Sequence, residues 1–193
     1  MPACCSACGS RRGFEARGII ARNILITGFS SGGKTTLLGV LARRGHTVIE
    51  EPGLRVIRAD GPKPWDNLDG FITAALELAQ SDLEAARESE NLTFFDRGVF
   101  DALSGLASRR RVDLKELLPQ PFPYSEPVFY VPPWPEIYEK TEDRQLPIEA
   151  ALEEAATLKR DLEQLGIAHV EVPKVPPEQR TDFVLSVLGK QGG

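Results

Sequence analysis

The chain has only three cysteines among its 193 residues, and all of them, Cys4, Cys5 and Cys8, stand near its start with nothing later to pair with. A disulfide-stapled framework is not expected, and Cys5-x-x-Cys8 is half of a zinc pattern whose second half is missing. No apolar run approaches the ~20 residues that cross a bilayer, and the first residues lack the continuous apolar core of a secretory signal. The expected compartment is therefore the cytoplasm, with no membrane partner. A basic surplus is absent too, since the formal net charge is -5, which speaks against a general nucleic-acid binder. Arg109-Arg110-Arg111 is the one basic run, and it reads as a solvated helix end. The only two histidines, His46 and His169, lie far apart at or inside apparent strands and read as structural. Internal repeats and low-complexity tracts are missing.

What is present is a composition ordinary for a globular protein, 41% hydrophobic and 26% charged, in a length suited to one domain with a sizeable core. Residues 1–21 show no periodicity and read as a mobile N-terminal extension. Residues 22–193 read as a single domain with a small lid near 135–147.

The stretch Asn23 to Thr36, N-I-L-I-T-G-F-S-S-G-G-K-T-T, organises the rest. An apolar strand (Ile24, Leu25, Ile26) runs into a glycine-rich turn and then a helix carrying Leu37, Leu38, Val40 and Leu41. Gly28, Gly33, Lys34 and Thr35 occupy the fixed places of G-x-x-x-x-G-K-[ST], a phosphate-binding loop. Such a loop must turn backbone N–H groups inward around β- and γ-phosphate oxygens, a bend that side chains with a Cβ obstruct. Lys34 can then reach the phosphates as a point charge, and Thr35 can place its hydroxyl on Mg²⁺, while the helix N-terminus adds partial positive charge. The expected nucleotide-holding residues are Gly28, Phe29, Ser30, Ser31, Gly32, Gly33, Lys34, Thr35 and Thr36.

Further along, His46 to Ile49 reads as a short strand ended by Glu50-Glu51-Pro52-Gly53. Two carboxylates thus stand at the carboxyl end of the second strand, the edge where open parallel sheets bind ligands. Gly61-Pro-Lys-Pro-Trp65 is a breaker-rich connection, after which Leu68, Phe71, Ile72, Ala75, Leu76, Ala79 and Leu83 form one helical stripe ending near Glu90. Leu92 to Asp96 is the third strand. It delivers Asp96 where a phosphate-loop protein needs an acid to assist Mg²⁺ directly or through water, and Arg97 follows as an anion contact or the partner of a nearby acid. A helix over Val99 to Ser108, a short helix from Asp113 to Leu118, a proline-broken loop from Pro119 to Tyr124 and a strand over Val128 to Val131 come next. Trp134, just past that strand, either packs or stacks on a base. An amphipathic helix from Ile148 to Leu165, a strand over Ala168 to Val172 and a last helix complete the chain. Strands separated by helices throughout predict a parallel sheet covered on both faces.

With these residues placed, the chain resembles the P-loop nucleoside and nucleotide kinases, and more narrowly the small AAA-domain ATPase/kinase-like proteins related to nicotinamide riboside kinase. Four matches over residues 23 to about 188 carry the resemblance. They are Gly28-Phe-Ser-Ser-Gly-Gly-Lys-Thr35; Glu51-Pro52 with Arg55; Asp96-Arg97; and Val131-Pro-Pro-Trp134 followed by Arg144. The resemblance implies a three-layer α/β/α sandwich with a five-stranded parallel sheet in the order 2-3-1-4-5. It also implies transfer of the γ-phosphoryl of ATP to a small hydroxylated acceptor, with Mg²⁺. Lys34 and the loop amides would hold phosphates, Thr35 and Asp96 the metal, and Glu51 would be the general base with Asp96 as its rival. Arg97 and Arg144 would stabilise equatorial oxygens. The lid departs from the kinase pattern in carrying only Lys140 and Arg144. No Asn/Thr-Lys-x-Asp motif for guanine occurs, so ATP is expected. An ATP-hydrolysing switch acting on a protein partner shares the same loop, and the two readings part in the region from Glu50 to Trp65: a kinase needs a concave acceptor pocket there. A binding module without catalysis is the third reading.

Overall fold

The computed structural model describes residues 22–87, 89, 91–138 and 147–190. Ile24, Leu25 and Ile26 are fully buried, and alternation along the strand sends them to opposite faces of a sheet. On one face Ile24 and Ile26 pack with Phe94 and Phe129 against Leu37, Leu41, Val184 and Leu188. On the other, Leu25, Phe95 and Tyr130 pack against Ala79, Leu103 and Leu158. A strand covered on both sides has no polar face, which is why this segment reads as an unbroken apolar run.

The sheet consists of β1 (Asn23–Gly28), β2 (Thr47–Ile49), β3 (Thr93–Asp96), β4 (Ser125–Val131) and β5 (His169–Glu171) in the spatial order β2-β3-β1-β4-β5. Every pairing is parallel, with Ile24 beside Phe94, Ile26 beside Phe129 and Val128 beside His169. Helix α1 (Lys34–Arg43) and α7 (Pro177–Gly189) cover one face. The helices α3 (Leu68–Ala86), α4 (Val99–Arg110) and α6 (Ile148–Gln164) cover the other. Each crossover from strand to helix to parallel strand places a loop at the carboxyl edge of the sheet, so β1, β2 and β3 all deliver their C-terminal residues to one rim.

Three elements differ from the sequence expectation. A seven-residue helix, α2 (Pro52–Arg58), stands where a turn was expected. Pro52 occupies its first turn with φ already suited to a helix, and Leu54, Val56 and Ile57 are buried; two turns are too short for a 3.6-residue period to be read. β4 begins at Ser125 and contains Pro127, accommodated where its register with β1 shifts between Ile24↔Ser125 and Ile26↔Phe129. α3 ends at Ala86, sooner than the acidic, serine-containing tail suggests. At its start the Asn67 side chain accepts a hydrogen bond from the Gly70 N–H at 3.0 Å, an N-cap. The short α5 (Leu114–Leu117) and a 3₁₀ turn at Pro135–Ile137 complete the described elements. Among the described residues no helix is long and apolar enough to cross a membrane. Cys4, Cys5, Cys8 and the proposed extension over residues 1–21 lie outside the described residues, as do Lys140 and Arg144 of the expected lid.

Candidate active site

The chain leaves β1 through a turn that only glycine accommodates at its first position. Gly28 has φ +108°, and a Cβ there would lie 2.3 Å from the Val131 carbonyl oxygen. The loop is fastened to β4 by the Phe29 N–H, which donates to that same oxygen at 2.9 Å, and closes on itself where the Gly32 N–H donates to the Phe29 carbonyl at 3.1 Å. Gly33, at φ +79°, then caps α1, with a would-be Cβ only 2.9 Å from Arg180 Nη1. The result is a concave loop above a helix N-terminus, a shape suited to phosphate.

Lys34 is buried, its ammonium donating to the carbonyls of Phe29 at 2.9 Å and Gly28 at 3.3 Å. Burial lowers its pKa, and the neighbouring Arg97 guanidinium acts in the same direction. One residue on, the Thr35 hydroxyl donates to Asp96 Oδ2 at 2.9 Å. The other Asp96 oxygen, Oδ1, is buried without a hydrogen-bond partner. Burial and the Glu51 carboxylate raise the Asp96 pKa to about 6. An orphaned carboxylate oxygen next to a threonine hydroxyl is a pair of hard oxygen donors, which fits Mg²⁺.

Arg97 is the hub that joins this loop to the next wall. Its backbone is left-handed (φ 60°), which turns the side chain back across the rim. The guanidinium grips Glu154 of α6 with two parallel bonds, Nη1 to Oε1 at 2.7 Å and Nη2 to Oε2 at 2.9 Å, and Nη2 also donates to the Gly28 carbonyl at 3.2 Å. Asp101 Oδ1 lies 3.7 Å from Nη1 and Glu51 Oε1 3.6 Å from Nε. That Nε is buried and makes no hydrogen bond. Burial works against the charge on Arg97, but the carboxylates of Glu154, Glu51 and Asp101 outweigh it and hold its pKa well above the ordinary value. Asp101 also accepts from the Thr27 hydroxyl and from the Gly98 N–H. Burial lifts the Asp101 pKa to about 6 against the pull of Arg97.

Next to the hub lies a cavity of about 280 Å3, lined at one end by Ser30 of the loop with Glu51, Arg97, Asp101 and Glu154. α2, the Pro64–Trp65 connection, α3, α4, Tyr138 and the first turn of α6 form the remainder of its wall. Glu51 is the residue just before α2, so the short helix sets the carboxylate on the rim facing Arg97.

A family model of the AAA domain matches residues 23–180. The chain belongs to this AAA domain family. No curated protein matches it in sequence. Its fold is similar to that of deoxyadenosine kinase from M. mycoides with bound dATP, at a TM-score of 0.57 and 12% identity over 86% of this chain and 99% of that one. Shikimate kinase from Aquifex aeolicus is similar at a TM-score of 0.55 and 15% identity, over 88% and 98% of the two chains. NadR protein in complex with NR is similar at 0.54 and 17% identity, over 79% of this chain and 44% of that one. The chain therefore has the fold of the P-loop kinases, with the sheet order that the resemblance implied.

In this AAA domain Lys34, Thr35, Asp96, Arg97 and Glu51 converge on one rim. Glu50 points elsewhere and pairs with Arg58 on the surface. Arg55, part of the Glu-Pro match, pairs with Asp82 at 2.5 Å and does not line the cavity. Trp134 stacks beneath the Arg180 guanidinium, 4.6 Å from its ring centroid. Arg180 itself was not singled out in the sequence. It is buried, donating from Nη1 to the Gly32 carbonyl and from Nε to the Val175 carbonyl, both at 2.8 Å. Asp101 and Glu154 were missed as well. Asp101 had a weak signal, an acid four residues after Arg97 on a helix; Glu154 looked like one more charge on a solvated helix face.

Proposed function

We propose that this AAA domain protein is an ATP-dependent phosphotransferase that moves the γ-phosphoryl group to the hydroxyl of a small acceptor. One observation carries the reading: the region from Glu51 to Trp65, together with Ser30 of the phosphate loop, lines a small-molecule cavity. A hydrolysing switch has no use for an acceptor cavity beside its loop, whereas a kinase requires one. The kinase names and the dATP of the similar structures support the same class.

In this mechanism the acceptor hydroxyl oxygen attacks the γ-phosphorus, the bond from that phosphorus to the β,γ-bridging oxygen breaks, and ADP leaves. Glu51 takes the hydroxyl proton. Asp96 is the weaker candidate for that role, because it does not line the cavity and one of its oxygens is held by Thr35. The unpartnered Arg97 Nε–H can donate to the acceptor oxygen while its other nitrogens stay fixed on Glu154 and Gly28. Lys34, drawn from its carbonyl partners, neutralises β- and γ-phosphate charge, and Arg144 would add to this from the lid. Thr35 and Asp96 would hold Mg²⁺, which supplies charge neutralisation on the phosphate oxygens. Most of the rate gain in such a transfer comes from positioning and electrostatics. A cytoplasmic location, where ATP is abundant, goes with this reading.

The test is ADP formation from Mg-ATP by the full chain, alone and with pooled small hydroxyl compounds, beside Lys34→Ala. At least one pool is expected to raise turnover tenfold or more above the acceptor-free rate, and Lys34→Ala to abolish the gain. Equal turnover with and without every pool, lost in the lysine variant, would instead identify a hydrolase.

A further inference from the structure

The cavity is sharply divided in chemistry. Among the described residues, its charged lining groups all sit at the loop end: Glu51, Arg97, Asp101 and Glu154, with the Ser30 hydroxyl beside them. Tyr138 belongs to this end too, since its ring packs on Phe29 of the loop at 5.9 Å. The rest of the wall is apolar: mainly Leu54 and Ile57 of α2, Trp65, and Phe71, Ile72 and Ala75 of α3, backed by small residues of α4 and α6. Along that wall, among the described residues, the indole N–H of Trp65 is the only polar side-chain group. The backbone there is mainly helical, so its amides and carbonyls are largely committed to their own helices.

A nucleobase or sugar ring placed against such a wall would bury several donors and acceptors without partners. Each costs on the order of tenfold in affinity. An anionic body fares worse, because Arg97, the one lining cation among the described residues, is at the loop end and already holds Glu154 in two bonds. We propose that the acceptor is an uncharged alcohol with an apolar body of about one ring, its hydroxyl at the Glu51–Arg97 end and its ring against Trp65 and Phe71. This inference rests on the phosphotransferase reading for the direction of the hydroxyl. It narrows the acceptor to a class different from the deoxyadenosine and shikimate that name two of the similar kinases. The volume of about 280 Å3 lies at the small end of ligand sites and suits a single ring with a short tail.

The experiment separates binding from turnover. The full chain, without nucleotide, is titrated calorimetrically with 3-phenylpropan-1-ol and 2-phenylethanol, and in parallel with deoxyadenosine, deoxycytidine and shikimate. The aryl alcohols are expected to bind at least tenfold more tightly than the other three. Trp65→Ala is expected to weaken them about tenfold at an unchanged melting temperature, and Trp65→Phe to restore most of the loss. Equal or tighter binding of a nucleoside or shikimate, failure of both alcohols to bind, or alcohol binding indifferent to Trp65→Ala would each overturn the inference. ADP formation is then measured with the same compounds. Alcohols that bind through Trp65 without raising turnover would leave the cavity assignment standing, and if every pool also failed to raise turnover the phosphotransferase reading would fall. A nucleoside that binds more tightly and raises turnover would do the reverse.

Discussion

At the scale of single residues, the site separates two carboxylates that the sequence makes look alike. Asp96 ends β3 and Glu51 lies two residues past β2, but Glu51 faces a cavity while Asp96 is sealed beneath the loop with Thr35. Glu51→Gln is therefore expected to keep nucleotide affinity and lower kcat about a hundredfold, equivalent to about 3 kcal/mol of transition-state stabilisation. Unchanged turnover in that variant would return the role of base to Asp96. Asp101 makes a different prediction. Its folded pKa of about 6 lies above the ordinary 3.8, so the folded chain binds a proton that the unfolded chain has released. The resulting stability is fully present below about pH 4 and is lost as pH rises through about 6, up to about 3 kcal/mol. Urea unfolding of the wild type and Asp101→Asn at pH 4, 5, 6 and 7 checks it. The difference between the two proteins is expected to change across that window, and a constant difference refutes the assignment. These pairings were not legible in the sequence. Asp101, Glu154 and Arg97 meet through the packing of α4 and α6, and beyond the four-residue spacing of Arg97 and Asp101 no local pattern marks which charges come together there.

At the scale of elements, the phosphate loop is positioned by three neighbours. β4 takes the Phe29 N–H, β3 supplies Asp96 to Thr35, and α7 sends Arg180 to the Gly32 carbonyl. The Arg180 fork spans Gly32 and Val175 and lies on Trp134, so it ties the loop to the segment entering α7. Arg180→Ala is expected to weaken ATP binding by ten- to a hundredfold, as the charged hydrogen bond to the loop at Gly32 is lost together with the one at Val175 that anchors it. Arg180→Lys is expected to recover only part, because an ammonium cannot hold both carbonyls in a planar fork. Nucleotide affinity measured at a temperature where all variants remain folded checks this; wild-type affinity in Arg180→Ala would assign the residue to stability alone. The loop, α1 and Asp96 were readable because their signals are local: fixed spacing, an apolar strand before, an amphipathic helix after. α2 was hidden by its brevity, and with it the wall that makes a cavity of the Glu51 region.

For the molecule as a whole, the alternation of strand and helix was readable because the strands are bounded by breakers and followed by helical stripes, whereas the sheet order rested on the family resemblance. The central strand bears the greatest load. Leu25 is fully buried among Phe95, Tyr130 and the helices of one face. Leu25→Ala is expected to cost about 3 kcal/mol and lower the melting temperature by roughly ten degrees. A two-state melt checks it, and a loss under 1 kcal/mol would mean that this face is loosely packed.

The contact between Arg180 and Gly32 joins residues 148 positions apart. On the ribosome, the phosphate loop is made early and its clasp late. At ordinary elongation rates the interval is on the order of ten seconds. For roughly the first two thirds of it β1 and α1 lack both groups that fix the loop's shape, the carbonyl of Val131 and the fork of Arg180, and for the rest they lack the fork. A nascent chain stalled before Arg180 carries the whole glycine-rich motif without its clasp, so full nucleotide affinity waits for α7 to dock.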